Sequence, residues 1–301
     1  GQEYIEKHLI PGAMIGIEVG GQRIYEKGFG YRNVAQQLPV TGDTVFGIAS
    51  MTKSFTSAGI MKLQETGKLS VHDKIVGYLP ELKASGGPIE RITLHHLMTH
   101  TAGYPPLATH VYARKNSIEQ DPSAKDYGLD LLSNPGPHIE TYDEMLAFMA
   151  TDDFEWLGEP GQFYSYSNDS YGLLGVIIRR VSGQPYEEFI EDNILKPAGM
   201  KNSFFAMERL DETEAATTLY MKAKDGSRVY EAPLWWDAPS MRAVGYLKST
   251  ANDILRYLEM YWNEGIVGGE RILSKESVAQ MIHPHVEYEP GRCYGYGLRI
   301  V

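Results

Sequence analysis

Ser50 and Lys53, in the run Ser50-Met51-Thr52-Lys53, are the residues best placed for nucleophilic chemistry. Serine and lysine three apart on a helix share a face, with Cβ atoms about 5–6 Å apart. A serine hydroxyl is a poor nucleophile until a neighbouring base takes its proton. A free lysine, with a pKa of about 10.4, is charged at neutral pH and no base. Burial lowers that value, because desolvation penalises the ammonium. Lys53 falls in the first turn of a helix whose apolar residues run nearly all round, which marks a helix buried on most sides. The positive end of that helix acts in the same direction and places the Ser50 amide where an oxyanion would form. Taken alone, Ser-x-x-Lys also describes a helix cap followed by a solvated lysine.

A second grouping, Tyr166-Ser167-Asn168, falls at a predicted loop-to-helix junction. A tyrosine phenol becomes a proton shuttle when a lysine ammonium stabilises its anion. Asn168 offers an amide that can bind a substrate carbonyl or hold Lys53. Alone, the triplet also reads as a capping asparagine preceded by an aromatic staple. Tyr104 and the pair Trp235-Trp236 are candidates to line an apolar substrate pocket, and equally candidates for core or lid packing.

The elements that must position these residues are legible in outline. Residues 13–31 read as two strands joined at Gly20-Gly21, preceded by a short helix near Tyr4 to Lys7. A four-turn helix runs from Ser50 to Thr66, with Gly67 at its left-handed cap. Further helices are expected from Thr93, over Tyr142–Ala150, from Ser167 or Asn168 to Val181, and over Pro185–Leu195. Two more are capped by Thr250 and Ser274. Residues 216–235 have hairpin character with a turn at Asp225-Gly226, and Tyr294–Val301 reads as a strand. The stretch from Tyr104 to Pro137 reads as one long binding loop or lid. Strands at both ends with helices between predict an α/β (α+β) fold in two parts. Residues 1–75 and 236–301 would form a discontinuous sheet domain, and 76–235 a mainly helical one.

Ser-x-x-Lys followed about a hundred residues later by Tyr-x-Asn is the arrangement of β-lactamases and penicillin-binding proteins. The resemblance extends well beyond the motifs. Asp43-Thr44-Val45-Phe46-Gly47-Ile48-Ala49-Ser50 leads into the nucleophile as in class C β-lactamase-like serine hydrolases. Gly67–Asp73, Tyr78–Glu81, Ile92–Gly103 and Tyr166–Gly175 resemble later blocks of the same family, and the similarity covers about Pro11 to Gly297. It implies an antiparallel sheet flanked by helices, a helical domain beside it and the site between. It implies that Ser50 is acylated, that Lys53 and Tyr166 move protons, and that Asn168 positions substrate. No metal or organic cofactor is implied. One departure stands out. The family's third element, Lys-Thr-Gly or His-x-Gly, lies on a strand beyond a Tyr-Gly-Tyr-Gly-like segment. None follows Tyr294-Gly295-Tyr296-Gly297 in this sequence, and Lys248-Ser249-Thr250 is a poor substitute because it precedes a helix and lacks the glycine. The final strand and helix of the fold are therefore expected in a segment outside these residues.

Composition narrows the alternatives. The sequence of 301 residues is 43% hydrophobic and 22% charged, which fits a globular chain with a sizeable core. A net charge of -11 without a Lys/Arg run argues against nucleic acid as a partner. One cysteine, Cys293, permits neither an internal disulfide nor a thiolate metal site. No apolar run reaches the roughly 18 residues of a membrane helix, and the compartment stays open. His95, His96 and His100 could hold a metal by spacing, but no H-E-x-x-H is present. Gly28-Phe29-Gly30 lacks the third glycine of a nucleotide loop, and no G-x-S-x-G elbow exists. The expected activity is hydrolysis through an acyl-enzyme at Ser50. The expected partner is a small molecule or short peptide, with D-amino-acid-containing peptides favoured. A carboxylesterase or β-lactamase on the same scaffold is the alternative. A ligand sensor that acylates and stalls is the rival of another class.

Overall fold

The structure, a computed structural model, describes residues 2–124, 135–223 and 226–301. After a short α1 (Gln2–Lys7), β1 (Gly12–Val19) and β2 (Gln22–Asn33) form an antiparallel hairpin. Its turn is Gly20-Gly21, with φ of 57° and 77°, and Val19 pairs with Gln22. Two residues at positive φ match the right-handed twist of the strands, which is why glycine occupies both. β3 (Leu38–Pro39) adds to the other edge of β2, and β4 (Phe46–Gly47) leads into the Ser50 turn.

α2 (Thr52–Glu65) is the central helix, buried from Thr52 through Met61. The chain then runs through α3 (Leu94–Met98), α4 (Thr109–Ala113), α5 (Lys115–Gln120) and α6 (Tyr142–Thr151). α7 (Asn168–Ser182) packs against α2, and α8 (Tyr186–Ile190) continues into a π turn at Glu191–Leu195. α9 (Glu208–Asp211) precedes the hairpin of β5 (Leu219–Lys222) and β6 (Val229–Ala232). α10 (Arg242–Gly245), β7 (Lys248–Ser249) and α11 (Ala251–Trp262) follow, with β7 paired to β4. The short pair β8 (Ile266–Val267) and β9 (Glu270–Arg271), α12 (Lys275–Ile282), and the antiparallel β10 (Val286–Glu289), β11 (Arg292–Tyr294) and β12 (Arg299–Ile300) complete the described chain.

The α/β class expected from the sequence is the one observed, with antiparallel pairing in every named sheet. The strands are divided among several small sheets rather than gathered into one. Caps explain the helix starts. Thr141 and Glu144 close a capping box on α6, Thr250 accepts from Asp253 N, and Gly183 ends α7 at φ 76°. One apolar core runs from Phe55 on α2 to Tyr296, crossing the boundary drawn between the two expected domains.

Two expectations need correction. The stretch from Tyr104 to Pro137 is not a single loop, because α4 and α5 lie within it. Each has six residues or fewer and no side-chain cap, so neither has a local start signal. Tertiary burial of Thr109, Ala113 and Ile118 holds them, as it must for helices too short to be stable alone. Residues 125–134 of that stretch, and Asp225 of the expected hairpin turn, lie outside the described residues. The final segment is likewise not one strand. β11 stops at Tyr294, Gly295 N donates to Leu298 O in a turn, and Gly297 adopts φ 74° before β12.

Candidate active site

Ser50 lies in a 3₁₀ turn, Ala49–Met51, that runs straight into α2. Ala49 holds φ 46°, a left-handed conformation costly for a residue with a Cβ. Bonds to a distant segment enforce it. Thr52 Oγ1 donates to Ala49 O at 2.7 Å and accepts from Leu247 N at 3.2 Å, while Ile48 N donates to Leu247 O at 3.1 Å. Gly245 sits against this turn, where an added Cβ would lie 3.4 Å from Ala49 C and 3.7 Å from Ser50 N. The Ser50 turn is thus clamped by α10 and the residues after it.

Lys53 is fully buried, and its Nζ has three oxygen partners. They are Ser50 Oγ at 3.1 Å, Asn168 Oδ1 at 2.9 Å and Val244 O at 2.7 Å. None of the three is a carboxylate. Desolvation alone lowers the amine from its ordinary 10.5 to about 7. As a neutral amine it donates to Asn168 and Val244 and points its lone pair at Ser50. That arrangement can accept the hydroxyl proton.

Tyr166 brings its ring within 5.0 Å of Lys53 Nζ. Burial raises its phenol, while hydrogen bonding to Ser50 and the charge of Arg299 pull the other way. Asn168 opens α7, but Ser167 caps the helix, accepting from Ser170 N at 3.0 Å. The asparagine side chain is therefore free to face Lys53. The structure brings Ser50, Lys53, Tyr166 and Asn168 together as the sequence reading grouped them.

The aromatic candidates separate. Tyr104 is 1% exposed and packs against Trp156 and Phe154, with ring centroids 4.7 Å and 5.8 Å away. It is a core residue and lines no part of the site, which corrects the pocket expectation. Trp235 covers Gly47, and Trp236 Nε1 donates to Asp121 Oδ2 at 2.8 Å. Both tryptophans line an apolar cavity of about 330 Å³ that reaches Ala49 and Gly245, on the flank of the serine turn. A second cleft of about 300 Å³ opens at Ser50 and Tyr166, bounded by Tyr257, Tyr294, Leu298 and Arg299.

Sequence reasoning missed two histidines. His100, at φ 59° just beyond α3, accepts from Ser167 N at Nδ1 and lies with its ring 4.3 Å from that of Tyr166. His110, on α4, contacts Asn168. His100 was visible only as part of a histidine-rich helix, and His110 lay in the supposed loop. Among the described residues no group of three or more His, Cys, Asp or Glu side chains could hold a metal ion. No helix among them is long and apolar enough to cross a membrane.

Comparison with known proteins defines the class that this fold and site point to. The beta-lactamase family model matches residues 2–301, and the chain belongs to that family. An octameric penicillin-binding protein homologue from Pyrococcus abyssi superposes with a TM-score of 0.83 at 37% identity, covering 99% of this chain and 62% of its own. A penicillin-binding protein from Bacillus halodurans gives 0.71 at 25% identity, over 99% of this chain and 81% of its own. Penicillin-binding protein 4* of Bacillus subtilis is 33% identical over 215 residues, 68% of this chain and 41% of the relative. Protein Rv1367c of Mycobacterium tuberculosis is 31% identical over 295 residues, 93% of this chain and 69% of the relative.

Proposed function

We propose that the chain is a serine hydrolase that cleaves amide bonds through an acyl-enzyme on Ser50. One observation carries the reading: a fully buried amine, with only desolvation acting on its pKa, lies 3.1 Å from the serine hydroxyl. Lys53 takes the proton as Ser50 Oγ attacks the carbonyl. Tyr166, close to both, passes a proton to the leaving amine, and water then releases the acyl group. Asn168 holds Lys53 through Oδ1 and offers its Nδ2 to the substrate. Penicillin-binding relatives and the Tyr-Ser-Asn triplet favour D-amino-acid-containing peptides as substrates. The octameric state named for the Pyrococcus abyssi relative makes self-association a second reading, to be checked by light scattering.

The test is Ser50→Ala. Turnover of D-alanyl peptides and covalent labelling by a fluorescent penicillin are both expected to vanish. Hydrolysis that survives in this variant would remove Ser50 from the mechanism. Labelling without steady-state turnover in the unaltered chain would instead favour a sensor that acylates and stalls. Preferential turnover of p-nitrophenyl esters or nitrocefin would mark an esterase or a β-lactamase.

A further inference from the structure

The half-buried amide of Asn168 has two ends, and the proposed chemistry uses them differently. Oδ1 accepts from Lys53 at 2.9 Å. Nδ2 lies 3.3 Å from His110 Nδ1, and His110 Nε2 lies 2.8 Å from the hydroxyl of Tyr246. Four side chains therefore form one line: Lys53, Asn168, His110 and Tyr246. We propose that His110 is a positioning residue that locks the Asn168 amide, Oδ1 toward Lys53 and one Nδ2 hydrogen left for substrate. The inference rests on the acyl-transfer reading of Ser50 and Lys53.

The argument is one of donors and acceptors. An amide nitrogen only donates, so His110 Nδ1 must accept and its proton must sit on Nε2, directed at Tyr246. Were Nδ1 protonated, two donors would face each other and the amide would turn over. Its NH₂ would then meet Lys53 Nζ, donor against donor when Lys53 is an ammonium, and competing with Ser50 for the one lone pair when it is neutral. Only the Nε2–H tautomer satisfies the whole line. The surroundings keep the ring neutral: burial dominates, and the cations Arg114 and Lys53 add to it, depressing His110 to about 3. Tyr246, the remaining titratable neighbour, is half-buried, and desolvation raises its phenol.

His100 repeats the device one residue earlier. Its Nδ1 accepts from Ser167 N at 3.1 Å, and its Nε2 lies 3.2 Å from the hydroxyl of Tyr294. Two neutral imidazoles, each backed by a tyrosine, thus fix the triplet that carries Tyr166 and Asn168. Neither touches Ser50, so their effect on chemistry is indirect.

The experiment compares His110→Phe, which keeps a ring but no acceptor, with His110→Asn, whose amide can accept where Nδ1 did. Acylation by fluorescent penicillin is followed against pH in both variants and in the unaltered chain. His110→Phe is expected to slow acylation roughly ten- to hundredfold. Its acid limb should move to lower pH, because a turned amide presents N–H rather than oxygen to the Lys53 ammonium. His110→Asn should recover the rate to within a few-fold and restore the limb. A merely structural role would lower the melting temperature and leave the limb in place, which overturns the proposal. Equal loss in both variants overturns it as well. A measurement on the unaltered chain is independent of activity: ¹⁵N-histidine NMR should show His110 with Nδ1 bare and Nε2 protonated. A protonated Nδ1 defeats the inference. If the unaltered chain is not labelled at all, the acyl-transfer reading fails, and the NMR result still decides the orientation of the amide.

Discussion

Lys53 is the residue on which the site turns. Among the described residues its environment offers oxygen partners but no negative charge, so burial acts unopposed on the amine. A base whose folded pKa is near 7 is half neutral there. The acylation rate is therefore expected to rise with pH through an acid limb near 7 and then to level off, as stopped-flow labelling would show. A limb near the ordinary carboxylate range would mean that another group is the base. Lys53→Arg should cost about 10²–10⁴ in rate, because a guanidinium stays charged and cannot accept a proton. Retention of rate in that variant would contradict the assignment. Tyr166 and Asn168 become meaningful only beside this amine, and His100 and His110 only behind them.

At the scale of elements, the site is a junction of α2, α7 and α10. α10 supplies Val244 O to Lys53 and is anchored by Arg242, which bonds Asp237 and Glu187. The approach of α2 to α8 and its π turn depends on Gly59, where a Cβ would come within 2.7 Å of Ile190 Cδ1 and 3.1 Å of Ile178 Cδ1. Gly59→Val is expected to destabilise the fold by about 1–3 kcal/mol through overpacking. Urea denaturation would measure this, and an unchanged midpoint would show that the interface yields. Gly297 has less freedom still. It sits at φ 74°, and a Cβ there would fall 2.7 Å from Lys53 O, on backbone that cannot swing away. Glycine at this point lets the turn before β12 lie directly on α2 beside Lys53 and Ser54.

For the whole molecule, buried and half-buried bases shape the pH dependence of stability. His95, His96, His100, His110 and His285 all bind protons less well in the fold than in the unfolded chain. Desolvation is the leading cause in each. Between the folded and unfolded values the unfolded chain holds more protons, so stability rises with pH. The contribution is complete above about 6.5. It is lost as pH falls through the folded values, about 4 for His95 and about 3 for His110. Lys53 at about 7 and Lys248 at about 8 extend the rise above neutrality by the same sign. The melting temperature in scanning calorimetry is expected to climb from mildly acidic to mildly alkaline pH. A maximum in the acid range would show that these groups are solvated.

Much of the fold was legible because local chemistry dictates it. Gly20-Gly21 demands a tight hairpin, Thr250 and Ser274 cap helices, and the all-round apolar pattern of α2 requires burial. The sequence also pointed to Ser50, Lys53, Tyr166 and Asn168, through spacing at two helix starts taken together with the resemblance to β-lactamases and penicillin-binding proteins. It could not tell that Tyr104 belongs to the core, since an aromatic fits a pocket wall and a packed cluster equally well. It could not reveal α4 or His110, because a five-residue helix without a cap exists only through its tertiary contacts. The sequence alone determined which nucleophilic and proton-carrying side chains the chain has to offer. The tertiary structure alone decided which of them are stripped of water and which way each amide and imidazole faces, because desolvation and hydrogen-bond direction belong to neighbours far away in the chain.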